Sequence, residues 1–395
     1  MSRVSIRELG RVITGNTPSK NNYEFFSSND IFFIKPDIIS DKKITYIKST
    51  NEFISEKARS KARIIENNAV LVTCIGSIGK ICIVKDGEFA FNQQINAIEP
   101  NGKVSVDYLA YCLLYNKSRL IHIANAPVVP IINKTQFENF QINITDDREE
   151  QNRIVEILNL ISSVIEMEKR QLGQLDKLIK ARFVELFGDP LQNPMGWPIK
   201  KLGDLSLQIN SGNTPKGGEQ VYVDEGITFF RSQNVWKDRL EMDDIAYIDE
   251  ATHTSMNRSS LKHGDILMTK TGRINTENSS LGRAALYMGE DDAANVNGHV
   301  YFIRLRAGVN NKFVLRILVS DEYRDYIRSV CVGGIDKRQL NKDHIENFPI
   351  ICPPESMIEE YIMFVEQTYK SKLAVQKALD ETQLLFDSLM QQYFG

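Results

Sequence analysis

Long apolar runs are missing from this chain of 395 residues. No stretch approaches the roughly 18 residues that a membrane-spanning helix requires, and Met1 to Gly10 lacks the apolar centre of a secretory signal. A cytoplasmic protein with no membrane partner is expected. Cysteine is scarce: Cys74, Cys82, Cys112, Cys331 and Cys352 form no Cys-x-x-Cys pair and have no histidine at ligand spacing. That argues against a zinc site or a disulfide framework and for buried, reduced thiols. An excess of charge of either sign is also wanting, with a net value of only −3. The surface is therefore not coated in positive charge, and any basic patch must be local.

Proline is absent between Arg148 and Phe187, and there a strong period emerges. Steps alternating between four and three residues meet Ile154, Leu158, Ile161, Ile165, Glu168, Leu172, Leu175, Ile179, Arg182 and Leu186, eight of them apolar. About forty residues can form one helix of roughly 60 Å, with a coiled-coil seam that needs a partner. An offset of 207 residues, from Ile154 to Tyr361, supplies one. The same steps then meet Tyr361, Val365, Thr368, Lys372, Val375, Leu379, Thr382, Phe386, Leu389 and Tyr393. Both segments stop on Phe-Gly, at Phe187-Gly188 and Phe394-Gly395.

The repeat extends through the whole chain. Leu9-Gly10 followed by Gly15-Asn16-Thr17-Pro18 returns as Leu202-Gly203 followed by Gly212-Asn213-Thr214-Pro215. Ile31 to Lys35 answers Ile227 to Arg231, Ile44 to Ile47 answers Ile245 to Ile248, and Val70 to Gly76 answers Ile266 to Gly272. Glu138 to Ile142 answers Glu346 to Ile350. An internal duplication accounts for matches kept in one order. Short β-branched and aromatic runs between turn clusters read as strands, while Val106 to Ile123 and Asn311 to Arg328 carry helical spacing, so each lobe is α+β. The expected division is a first lobe at 1–145, a helical region at 146–188, and a proline-rich linker at 189–198. A second lobe at 199–352 and a second helical region at 353–395 complete it.

Residues that could carry chemistry are few. Gly76-Ser77-Ile78-Gly79-Lys80 is a defective phosphate loop, too short and with Ile81 where a magnesium-binding hydroxyl belongs; a hairpin turn is expected. Ile351-Cys352-Pro353-Pro354 lacks the polar first residue and closing aromatic of an amine-methylating site, and suits the end of a strand before a helix. His122, His253, His263, His299 and His344 are scattered, and no nucleophile, base and oxyanion hole can be assembled from the sequence.

Basic residues at matched places are more informative. Lys57, Arg59, Lys61 and Arg63 alternate and, if the segment is extended, share one face; Arg258 and Lys262 stand in the corresponding part of the second half. Lys35 and Arg231 each follow an aromatic strand, and Lys134 is matched with Lys337 and Arg338 before the last strand. Such side chains bind phosphates and read base edges, so double-stranded DNA is the expected ligand. The alternating strip would track phosphates, and the single cations at strand ends would reach bases.

Together, the Leu-Gly then Gly-Asn-Thr-Pro openings, Gly196-Trp197, the Gly264-Asp265-Ile266-Leu267 strand entry and the helices ending in Phe-Gly make the chain resemble the specificity subunit of a type I restriction-modification system. The first half departs from the pattern at Asn67-Asn68-Ala69-Val70, where the second has His263-Gly264-Asp265-Ile266. The resemblance implies two target-recognition lobes alternating with two helical regions, packed as an antiparallel coiled coil about a pseudo-twofold axis. Each lobe would read half of a bipartite DNA target while the helices set the spacing. It further implies two modification subunits as partners, with S-adenosylmethionine bound there rather than on this chain, and nuclease subunits where the system has them. Leu178, Phe183, Phe187, Phe364 and Leu385 lie off the seam and are candidates for docking a partner, or else pack on their own lobes. Two other classes remain open: a coiled-coil scaffold joining other proteins, which leaves the matched cations unexplained, and the DNA-reading part of a methyltransferase-nuclease enzyme, which would need catalytic motifs.

Overall fold

The computed structural model describes residues 2–66, 68–124, 129–274, 276 and 278–395; Asn67, where the two halves diverge in sequence, lies outside them. Contacts divide the chain into two units, Met1–Leu172 with Ala374–Gly395, and Gly173–Leu373. Each lobe thus takes one end of both long helices, which run Arg148–Phe187 and Glu355–Phe394.

In the first unit a five-stranded sheet runs Gly10–Thr14, Ile95–Pro100, Ala69–Thr73, Ile81–Val84, Thr45–Ile47. Beside it lies a four-stranded sheet in the order Phe53–Ile54, Ile31–Ile34, Phe89–Phe91, Ile64–Ile65, with Phe32 opposite Phe89 in a parallel pair. The second unit repeats most of the plan, but Ala246–Ile248 pairs antiparallel with Ile227–Phe230, whereas Thr45–Ile47, its match by sequence, lies parallel to Ile81–Val84 in the larger sheet. Ser206–Ser211, Val300–Leu305, Ile266–Thr269 and Ala284–Leu286 form one sheet, and Phe229 pairs in parallel with Asn295 in the other. The inner strands Ala69–Thr73 and Ile266–Thr269 of the larger sheets are buried along their length, which is why they read as continuous apolar runs rather than alternating ones.

The Gly-Asn-Thr-Pro motif does the same work in both units. A Cβ at Gly15 would lie 2.2 Å from the Asn92 carbonyl oxygen, and one at Gly212 would lie 2.0 Å from that of Val296. Only glycine lets the first strand pass so close to the end of the parallel strand. The next amides then close the crossing, Asn16 donating to the Phe91 carbonyl at 2.9 Å and Asn213 to that of Val296 at 3.2 Å.

Helical spacing from Val106 to Ile123 resolves into two helices, Val106–Tyr115 and Lys117–Ile123. Buried Asn116 breaks them by turning its side-chain amide back onto the Cys112 carbonyl at 2.8 Å. Likewise Asn311 to Arg328 divides into Asn311–Leu318 and Asp321–Val330, the second capped by Ser320 accepting from the Tyr323 amide at 3.2 Å.

In the first unit the seam holds as spaced, with Ile161, Ile165 and Leu379 buried against Leu172, Phe386 and Leu389. At each helix end the buried stripe moves one residue past the seam. Phe183 and Phe187 enter the core of the second unit, and Met390 and Phe394, 207 residues on, enter that of the first. In the second unit the pair is antiparallel: Arg182 reaches Glu360 at 2.5 Å while Asp176 reaches Lys372 at 2.5 Å. Four cysteines are buried and Cys352 is partly so, with burial pushing the Cys74 thiol up to about 12.

Candidate nucleic-acid interface

Residues Glu56–Lys61 form a 3-10 helix, so the alternating cations do not line one extended face as expected. Ala58 points into the core, and the cations around it meet different neighbours. Lys57 pairs with Glu24 at 2.9 Å. Arg59 is clamped by Glu56 and by Glu88 at 2.5 Å, with Glu66 at 3.6 Å, and those hydrogen bonds raise its pKa further. Lys61 and Arg63 are exposed and, among the described residues, make no ion pair. Half of the expected strip is therefore neutralised in place.

The single cations also sort by burial. Arg231 does not stand free to read a base: its side chain is 13% exposed, with Nη2 donating to the Asp244 carbonyl at 2.5 Å and pairing with its carboxylate at 3.1 Å. The guanidinium also lies 5.8 Å from the Tyr222 ring centroid. It is a brace between strand and loop. Lys35, at the matching place, pairs with Glu52 but keeps a third of its side chain exposed. Lys262 is held by Asp292 and Asp291, whereas Arg258 donates to the Asn213 side chain at 2.9 Å and stays exposed.

Lys134 is matched in the structure by Lys342, not by Lys337 and Arg338. Both begin five-residue helices, Lys134–Glu138 and Lys342–Glu346, with ion pairs four residues on at 3.5 and 3.4 Å. The sequence carries that signal, since Asn133-Lys134 and Asn341-Lys342 each precede Glu-Asn-Phe by the same interval. Lys337 and Arg338 instead lie on the central strand of a three-stranded sheet in the order Thr271–Arg273, Lys337–Gln339, Val332–Gly333. Arg273 sits opposite Lys337, and its side chain is 68% exposed although it meets Asp336 at 3.3 Å. Lys270, just before this sheet, lies 5.8 Å from the Tyr301 ring centroid. Neither Arg273 nor Lys270 stood out in the sequence.

Two more arginines flank an aromatic ring in the second unit. The Arg283 guanidinium lies 3.8 Å and that of Arg239 5.4 Å from the Trp236 ring centroid. Burial, with Arg324 and Arg239 nearby, lowers the Arg283 pKa.

Of the docking candidates, Phe183 and Phe187 are 7% and 0% exposed and pack on Phe313 and Tyr361. Phe364 packs on the same core. Phe183 and Phe187 are thus lobe anchors rather than docking residues, because an aromatic at a helix end gains most by entering the adjacent core, while Phe364 stays partly buried against it. Leu178 and Leu385 remain exposed, at 47% and 51%. The Gly76–Gly79 turn joins two antiparallel strands and gives the Gly76 amide to Pro130 and that of Gly79 to Thr73, each at 2.9 Å. It is a hairpin turn, and those two amides are not free for a phosphate.

A duplicated α+β lobe, each copy opened by the same glycine crossing, edged with cations and anchored to a shared helical pair, defines a protein built to present two like recognition modules. The comparisons agree. Residues 1–177 match the family model of the type I restriction modification DNA specificity domain. The MjaIX specificity subunit of Methanocaldococcus jannaschii is 25% identical, covering 98% of this chain and 90% of that one. The EcoR124I/EcoR124II specificity subunit of Escherichia coli is 29% identical over 42% of this chain and 43% of its own length. The crystal structure of the S subunit from M. genitalium superposes with a TM-score of 0.56 at 14% identity, covering 100% of this chain and 96% of that one. Along nearly its whole length the chain is similar to the specificity subunits of type I restriction-modification systems, and recognition of a DNA target is the function that likeness supports. Subunits of this kind assemble with other restriction-modification subunits and DNA.

Proposed function

We propose that each unit reads one half of a bipartite, asymmetric DNA target, that the paired helices set the gap between the halves, and that two modification subunits dock on the assembly. The observation that carries this reading is the repeat itself: each lobe has the same parallel strand pair, the same glycine crossing and its own anchor on both helices. Lys61, Arg63 and Arg258 suit phosphates, and Lys35, Lys337 and Arg338 stand where a side chain could reach a base edge. Lys57, Arg59, Lys134, Arg231 and Lys262 support the loops that present them.

The chain performs no chemistry of its own in this reading and works inside the cell, where its DNA lies. S-adenosylmethionine is carried by the modification subunits. In support, the glycine-rich turn spends two amides on Pro130 and Thr73 rather than offering them to a phosphate. Leu178 and Leu385 are the off-seam residues left for a partner.

Insertion of four residues after Gly173 and four after Ala374 tests the spacing role. Each lengthens its helix by about 6 Å, against 3.4 Å per base pair. The gap in the modified sequence should grow by one or two base pairs with both half-sites unchanged. An unaltered gap would rule out the helices as the spacer.

A further inference from the structure

A β-hairpin in the second unit holds a large apolar side chain in solvent. Val332–Gly333 and Lys337–Gln339 form a hairpin closed by the Gly334 amide donating to the Lys337 carbonyl at 3.1 Å, so Ile335 and Asp336 are the two turn residues. Ile335 is 89% exposed, the highest exposure of any large apolar side chain among the described residues. A loose tip would explain such exposure, but this tip is braced. The Ile274 amide donates to the Asp336 carbonyl at 3.0 Å, and Arg273 meets the Asp336 carboxylate at 3.3 Å. Gly333 has φ of 138°, and a Cβ there would lie 2.7 Å from the Lys337 carbonyl oxygen, so the bend that projects the tip requires glycine.

Holding a bare isoleucine in water on a fixed turn gains nothing for folding. Its surroundings state the partner's chemistry. Lys337 and Arg338 leave the tip on one strand, Arg273 stands across from Lys337, and Lys270 follows at the base. An apolar point flanked by cations on a β-ribbon matches a polyanion with a greasy interior, which is duplex DNA. A hairpin turn can enter a DNA groove, and apolar side chains inserted between base steps unstack them.

We propose that Ile335 is an apolar wedge that enters the base stack within the half-site read by the second unit, with Lys337 and Arg338 at the flanking base edges and Arg273 holding a phosphate beside them. The proposal rests on the reading of that unit as a DNA-binding lobe. Inserting the side chain opens one base step, so recognition there depends on how readily that step unstacks.

The test uses the full chain purified with its co-assembled subunits, and duplexes of its own target carrying 2-aminopurine at one position at a time. Wild type should brighten the probe at one step of the second half-site. Ile335→Ala should abolish that signal and weaken specific binding about tenfold, leaving the salt dependence and non-specific binding unchanged. Ile335→Leu should retain both. Specific binding by wild type with no brightening at any position, or Ile335→Ala indistinguishable from wild type, overturns the wedge while leaving the lobe a DNA reader. Loss of all binding to the second half-site in wild type would overturn both.

Discussion

Truncation of Phe187 to alanine examines the claim that each long helix ends inside a lobe core. Phe187 is fully buried, with ring centroids 5.2 Å from Phe183, 5.0 Å from Phe313 and 5.6 Å from Tyr361. Removal of a buried phenylalanine costs about 3–5 kcal/mol, the transfer term plus the cavity left behind. Four aromatic rings close on one another here, so little collapse is available and the upper half of that range is expected. For a unit of this size each kcal/mol lowers the melting temperature by about 2–4 °C, so its transition should fall by roughly 8–20 °C. Amide hydrogen exchange locates the effect. Phe187→Ala should deprotect strands such as Ile266–Thr269 and Val300–Leu305, while Phe394→Ala should deprotect Ala69–Thr73 and Ile95–Pro100. If Phe187→Ala leaves the second unit as protected as before, or loosens the first instead, the helix end is not the anchor described.

Further outcomes concern the crossing, the seam and a charge bridge. Gly212→Ala drives a methyl into the Val296 carbonyl, and denaturant unfolding should show a loss of about 3 kcal/mol or more; a neutral effect would mean the strand can move aside. Glu168 sits in the seam with Thr382 at 3.4 Å from one carboxylate oxygen and no hydrogen-bond partner on the other, so Glu168→Leu should raise stability by about 1 kcal/mol in urea melts, and a loss would contradict that. Asp321 is held at about 2 by hydrogen bonds from Lys180 and Lys237. Its folded pKa lies below the unfolded one near 3.9, so its contribution is complete above that value and disappears as pH falls through about 2. The difference in melting temperature between wild type and Asp321→Asn should be constant above about pH 5 and vanish toward pH 2; a difference that grows on acidification would reverse the assignment.

The architecture was legible because it is written twice. Repeated Gly-Asn-Thr-Pro and Phe-Gly marks, with a seam of period 3.5, point to both lobes and both helices in the sequence alone. What failed to show was anything set by residues distant in the chain. Arg231 reads as an isolated cation until Asp244 and Tyr222 fold over it, and Lys57 and Arg59 look free until Glu24 and Glu88 arrive. The two helix breaks escaped notice because Asn116 and Ser320 fit a helical period while their side chains favour ending one. Phe183 and Phe187 lay off the seam and were open to a docking role, since only the lobe core distinguishes a buried flank from an exposed one. The basic hairpin was hidden by the pairing of Lys134 with Lys337, although the shared Asn-Lys and Glu-Asn-Phe spacing marks Lys342 as the true counterpart.

The most direct measurement of the central claim is a base-resolution map of modified DNA in cells carrying either this chain or a variant whose residues 199–352 are exchanged for those of a relative with a different target. The account predicts a two-part modified sequence in which one part changes, while the other part and the gap stay as they were. A variant that modifies the original sequence throughout, or one in which both parts change together, would contradict it.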